Sequence, residues 1–334
     1  MDNITHTLTG LMMARAGLAY SGKSQTTNRG GSLMMMLAAN APDLDAVSLF
    51  FGGLAYMQYH RGYAHSLLLA PVMAVIPLLL ARWIRGAWLS WRNYLACVLG
   101  VLSHLALDLT NVYGIRLFLP FSSRWPHLDI TNIIDPWILL IFLIAIAAPA
   151  LSGLVTSEIG GRKSERPKRT WAWVALIALL GYEGLRFTAH DRAIAVMSAH
   201  QFGGDSVPHI WALPTGVSPL RWRGIVETTE SVLDVPVDLT GEFDPGAGRV
   251  SYPAPPSPAL DAARSTPEFQ AFLRFNQLPF WRVTPEDDLV RVDLIDLRFG
   301  TAWQPGFAAA SALITPDGRV RDAHFGISIP GRGR

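Results

Sequence analysis

The chain has 334 residues, of which 50% are hydrophobic and only 16% charged, with a mean hydropathy of +0.26. That balance departs from a soluble domain toward a membrane protein, and the length leaves room for two domains. The formal charge of +2 decides little, but Cys97 is the sole cysteine, which excludes an intrachain disulfide and a cysteine-held metal site.

The start, Met1-Asp2-Asn3, carries no cationic stretch, so no cleaved signal peptide is expected. Residues 4–20 read as a moderately apolar helix capped by Asp2, Asn3 or Thr5, short and polar for a membrane span. A Gly/Ser/Thr loop with Lys23 and Arg29 is expected over 21–31. A second apolar run, 32–40, ends at Ala41-Pro42, and Asp43 and Asp45 follow. Residues 47–56 are apolar again, with Gly52-Gly53 weakening any helix there. The polar string His60-Arg61-Gly62-Tyr63-Ala64-His65-Ser66 comes next.

Residues 67–83 are almost wholly apolar despite Pro71 and Pro77, which membrane helices tolerate. Tyr94 to Leu109 reads as a membrane helix carrying His104 and Asp108, four residues apart and therefore on one face. A polar connection, 110–135, precedes two further candidate spans, Trp137 to Val155 and Trp171 to Phe187. Between those spans, 157–170 is rich in Arg and Lys.

Cationic turns face the cytoplasm, which places 82–92 and 157–170 inside, and 21–31 with them. Alternation then gathers His6, Asp43, Asp45, His60, His65, the Asp108 end of its helix, the 110–135 connection and everything after Phe187 on the outer side. Beyond Phe187 the composition shifts to proline-rich, strand-like sequence, including 231–237 and 289–294, with a helix over 266–276 and a turn at Thr315-Pro316-Asp317-Gly318. No internal repeat, nucleotide loop or nucleic-acid patch is present, so no nucleic-acid partner is expected. The expected fold is therefore mainly α: a polytopic transmembrane helical bundle over 1–187 with a soluble α+β or β-rich domain over 188–334.

His6, Asp43, Asp45, His60, His65, His104, Asp108, Asp129 and Asp135 form a His/carboxylate set suited to zinc, manganese or iron. A hydrolytic centre needs such donors around an ion that acidifies water, and surplus donors orient the ligands or carry protons. Arg61 and Arg116 are candidates for holding a phosphate, because guanidinium matches that geometry. Each residue has a plainer reading. His6 can face water, Asp43 and Asp45 can cap the next helix, Asp129 and Asp135 can be solvated, and the two arginines can snorkel to headgroups. His104 and Asp108 can be a packing pair, and His127 is a spare ligand.

The ordered pattern Met1-Asp2-x-x-Thr5-His6-x-x-x-Gly10, Pro42-Asp43-x-Asp45, His60-Arg61-Gly62-x-x-His65-Ser66, Ser103-His104-x-x-x-Asp108-x-x-Asn111-x-x-Gly114 and Pro120-Phe121-Ser122 with Asp129 resembles the LexA-binding, inner-membrane-associated metal-dependent hydrolase family. The resemblance covers about residues 1 to 187. It implies metal-dependent hydrolysis with His6, Asp43, Asp45, His60, His65, His104 and Asp108 as motif positions. The expected roles are metal ligation by His6, Asp43, His65, His104 and Asp108, proton transfer by Asp45 and His60, substrate contact by Arg61 and Arg116, and ligand support by Asp129, Asp135 and Asn111. A divalent metal, zinc before manganese or iron, would act on a phosphoester or other ester of a lipid or amphipathic substrate at the periplasmic face of the inner membrane. The rival expectations are a non-catalytic membrane regulator or partner-binding protein, and a transporter; the sequence names no protein partner.

Overall fold

The computed structural model describes residues 1–20, 29–158, 166–202, 209–306 and 308–326. The helices are α1 (Asn3–Ala16), α2 (Arg29–Ala38), α3 (Gly53–Tyr59), α4 (Ala70–Met73), α5 (Val75–Arg85), α6 (Trp91–Thr110), α7 (Pro136–Glu158), α8 (Arg166–Ser198), α9 (Pro258–Arg264) and α10 (Pro267–Phe275). Short 3-10 segments cover Ala41–Phe51 and Tyr63–His65. The chain divides into two compact units. The first holds Met1–Asp45, Arg61–His190 and Pro214–Pro219, and the second holds Ala46–His60, Asp191–Leu213 and Leu220–Arg334. The helix that contains Phe187 continues unbroken to Ser198.

In the first unit the sequence signals act locally. The Asp2 carboxylate accepts from the Ile4 and Thr5 backbone amides, and Gly17, at φ 99°, closes α1 in the left-handed conformation. Ser90 caps α6 on Asn93. Helix α2 starts at Arg29, inside the expected loop, while Lys23 lies outside the described residues. At the other cationic connection, α8 starts at Arg166, so the last part of 157–170 is helical, and Arg162 and Lys163 lie outside the described residues. The run 67–83 is two helices, α4 and α5, divided at Ala74.

Small residues let these helices approach closely. Buried Ala14, Ala38, Ala70, Ala74, Ala81 and Ala96 pack with Met34, Met35 and Val101 in one core. A methyl group added at Gly10 would run into the Met35 carbonyl oxygen, and one at Gly100 would meet the Ala38 Cβ at 2.7 Å. Gly100→Val therefore has no room without separating α2 from α6. It is expected to lower stability by about 1–3 kcal/mol, read as a fall in the thermal midpoint of the detergent-purified chain.

Among the described residues, two helices are long and apolar enough to cross a membrane: α6, and Lys168–Ser198 of α8. Up to four spans result if each of two helix pairs bent at a short break counts as one.

The second unit contains two four-stranded sheets in sequence order: β1 (His209–Pro214), β2 (Arg221–Glu227), β3 (Val232–Asp238) and β4 (Arg249–Ser251), then β5 (Pro279–Glu286), β6 (Leu289–Asp296), β7 (Ala309–Ile314) and β8 (Val320–Gly326). The final residue of β1 falls in the first unit. Adjacent pairs from β2 to β4 and from β5 to β8 are antiparallel. Pro236 sits in β3 opposite Arg223, beyond the part of β3 that pairs with β4, so its missing N–H leaves no ladder position empty on that side. Thr266 caps α10, and Gly318, at φ 81°, supplies the turn before β8, both at the expected places. Phe269, Phe272, Phe275, Phe280 and Leu294 supply buried core here.

Candidate metal centre

Three segments of the first unit bring four donors together: Asp43 from the 3-10 segment after α2, His65 from the Tyr63–His65 turn, and His104 and Asp108 from one face of α6. The two Nε2 atoms of His65 and His104 stand 3.2 Å apart. His65 Nε2 is 3.5 Å from Asp43 Oδ1 and 3.5 Å from Asp108 Oδ2. His104 Nε2 is 3.6 Å and 3.4 Å from the same two oxygens. A tetrahedral zinc ion with bonds of about 2.0–2.1 Å holds its donors about 3.3–3.4 Å apart, close to these five separations, and Asp43 and Asp108 lie within 4.8 Å of each other.

Outer contacts fix the donor directions. His65 Nδ1 lies 3.0 Å from Asp45 Oδ2, and His104 Nδ1 lies 2.7 Å from the Ala39 carbonyl oxygen, so each imidazole donates its Nδ1 hydrogen outward. Both Nε2 lone pairs then face each other and the two carboxylates. One shared proton satisfies one of these contacts; a metal ion satisfies all of them. The close approach of α2 at Gly100, one turn before His104, is what delivers the Ala39 carbonyl.

The His65 turn is closed by its own neighbours. The Ser66 hydroxyl donates to the Tyr63 carbonyl, and the His65 amide donates to that of Gly62. Arg61 adopts φ 54°, a conformation costly for a side chain larger than glycine, and its amide is held by Asp45 Oδ2 at 2.9 Å. Asp45 thus fixes both the turn and the imidazole. Asp45→Asn is expected to weaken metal affinity by about 10–100-fold without unfolding the chain, measured by competition with a chelating dye.

The other expected site residues are placed as follows. His6 is fully buried, stacked on the His104 ring at 3.8 Å, with Nε2 3.3 Å from Asp108 Oδ1. It lies beside the four-donor set, which already fills a tetrahedron. Asn111 lies beside Asp108: its Nδ2 donates to Asp108 Oδ1 at 3.4 Å, and its Oδ1 accepts the Tyr113 amide.

Arg61 is committed to protein rather than open to a phosphate. Its guanidinium lies 3.2 Å from Asp108 Oδ1, donates to the Asn111 side chain and the Gly114 carbonyl, and covers the Tyr113 ring. Arg116 lays its guanidinium over Trp125, 4.9 Å from the ring centre. Asp129 accepts from His127 at 2.8 Å, and Asp135 caps α7 and receives the Tyr182 hydroxyl, so neither carboxylate joins the centre. His60 belongs to the second unit, where it caps α3 and stacks on Tyr56.

Three participants carried no usable sequence signal. Asn3 holds Asp43 Oδ2 at 3.1 Å, the Ala39 backbone orients His104, and Tyr113 underlies Arg61. The Met1 α-amino group, also buried, donates to Asp108 Oδ1.

Comparison with known proteins adds the following. No solved structure matches the chain. An uncharacterized protein of Bacillus subtilis (strain 168), YfhP, is 27% identical over 331 residues, covering 98% of this chain and 95% of its own. The family described as YdjM inner membrane protein matches residues 1–193, the stretch that contains all four clustered donors, and with more than half its length matched the chain belongs to that inner-membrane family.

Proposed function

We propose that the protein is a membrane-bound, metal-dependent hydrolase acting on a phosphoester or other ester of a lipid or amphipathic substrate. The reading rests above all on the four-donor set of Asp43, His65, His104 and Asp108, whose two outward-anchored imidazoles turn their Nε2 lone pairs toward two carboxylate oxygens. A divalent ion, zinc first and manganese or iron next, would supply Lewis acidity and an acidified water there. The chain's own groups do the rest: Asp45 and Ala39 aim the imidazoles, and Asn3 steadies Asp43. The Asp43 side chain is 14% exposed, against 0% for the other three, so solvent and substrate reach the centre from its side. Cationic Arg82, Arg85 and Arg92 support a topology with that end of the helices inside and the centre toward the periplasm.

One observation favours the rival, a non-catalytic regulator with a structural metal. Four protein donors already complete a tetrahedron, as structural sites do, and turnover requires a fifth position or release of one carboxylate. The detergent-purified full chain, loaded in turn with zinc, manganese and iron and offered lipid phosphoesters and carboxyesters, separates the two. Cleavage that disappears in His65→Ala supports the hydrolase. Bound metal with no ester cleaved faster than by His65→Ala supports the regulator.

A further inference from the structure

The Asp108 carboxylate is divided between two environments. Oδ2 faces the Nε2 atoms of His65 and His104, while Oδ1 faces away from them toward His6, Asn111, the Met1 amine and Arg61. Such a carboxylate, with one oxygen on each side, is the usual bridge of a two-metal centre, where the ions stand about 3.5–4 Å apart. Donors for a second ion are present on the Oδ1 side. His6 Nε2 lies 3.3 Å from Oδ1, and both His6 ring nitrogens are buried without a hydrogen-bond partner. The Asn111 amide oxygen is held against Arg61.

We infer that Arg61 is the resident second cation of this centre, occupying with its guanidinium the place on Asp108 Oδ1 where a second metal ion would bind and so limiting the centre to one ion. The inference rests on the metal reading above. The guanidinium is buried, 4% exposed, and 3.2 Å from Oδ1. Three further contacts hold it there: the Asn111 side chain, the Gly114 carbonyl and the Tyr113 ring face. A guanidinium carries no lone pair for a metal, whereas the Met1 amine on the same oxygen is a nitrogen that an ion can recruit as a ligand, so Arg61 is the group that opposes a second cation there. Its backbone is tied into the same centre, because the Arg61 amide donates to the Asp45 oxygen that also orients His65. Arg61 is thus a positioning residue: it orients Asp108 and sets the ion count, and the sequence expectation of a phosphate clamp gives way to it.

Manganese content and electron paramagnetic resonance of the detergent-purified full chain test this without any activity assay. Wild type loaded with excess Mn²⁺ is expected to hold one ion per chain with the six-line spectrum of an isolated ion. Arg61→Met is expected to hold two, with the spectrum of an exchange-coupled pair, and Arg61→Met with His6→Ala to return to one. Arg61→Lys, which keeps a cation there, is expected to hold one. Two coupled ions in wild type, or a single ion in folded Arg61→Met, would overturn the inference. Should Arg61→Met fail to fold, His6→Ala decides: it is expected to keep the wild-type single ion, and loss of that ion makes His6 a ligand of the first site and overturns the proposal. No ion in wild type removes the metal reading itself, an outcome distinct from all of these.

Discussion

His104→Ala, purified in detergent, is expected to retain no stoichiometric transition metal, where the parent chain holds one ion. The substitution removes the donor that stands within 3.6 Å of all three others, and leaves the Ala39 carbonyl without its partner. Losing an outer partner of a ligand costs about 10–100-fold in affinity, and losing the ligand itself costs more. A stability effect follows from linkage, since an ion present at about 100 times its dissociation constant contributes about 2.7 kcal/mol to the folded state. Chelator treatment should therefore lower the thermal midpoint of the parent and leave that of His104→Ala unchanged. Equal metal content in the two proteins would remove the centre from consideration.

The second large effect concerns a buried ion pair of the second unit. Arg298→Met is expected to destabilise the second unit by about 3–5 kcal/mol, because it strands the Asp296 carboxylate in a core that admits no water. Both side chains are fully buried, with Arg298 Nη2 2.6 Å from Asp296 Oδ2 and Nε 3.0 Å from Oδ1. The guanidinium also donates to the Phe275 carbonyl and lies against the Phe275 and Phe299 rings. Replacing both partners, Asp296→Leu with Arg298→Met, removes the stranded charge and should recover most of the loss. Hydrogen exchange at the β6 amides of Val292 to Ile295 in the full chain reads the difference. Unchanged protection in the single variant would show that the pair contributes nothing.

Much of the architecture was legible before any coordinates, and the reasons are local. Asp2 opens α1 because capping needs only a side-chain oxygen, whereas the helix expected to reach residue 20 stops at Ala16, where Gly17 turns left-handed. The β3 and β6 segments follow their alternating branched residues, and α10 lies between its caps Thr266 and Asn276. His104 and Asp108 share a face because a helix makes four residues nearly one turn. Where the reading slipped, the decisive contacts were long-range. Arg29 is helical rather than part of a loop, and Arg166 begins α8. Asp129 and Asp135 are spent on His127 and on the start of α7, and no spacing rule distinguishes a carboxylate used as a cap from one used as a ligand.

The sequence by itself determined the chemistry available: one cysteine, apolar helices, and histidines and acids in an ordered pattern that only oxygen and nitrogen coordination can use. Tertiary structure alone decided which of them meet. Asp43, His65, His104 and Asp108 converge because Gly10 and Gly100 let three helices approach closely enough to set a backbone carbonyl against one imidazole, while His6 and Arg61 fall on the far oxygen of Asp108. Donor selection is a matter of ångströms between segments far apart in the chain, and composition and periodicity carry no information at that scale.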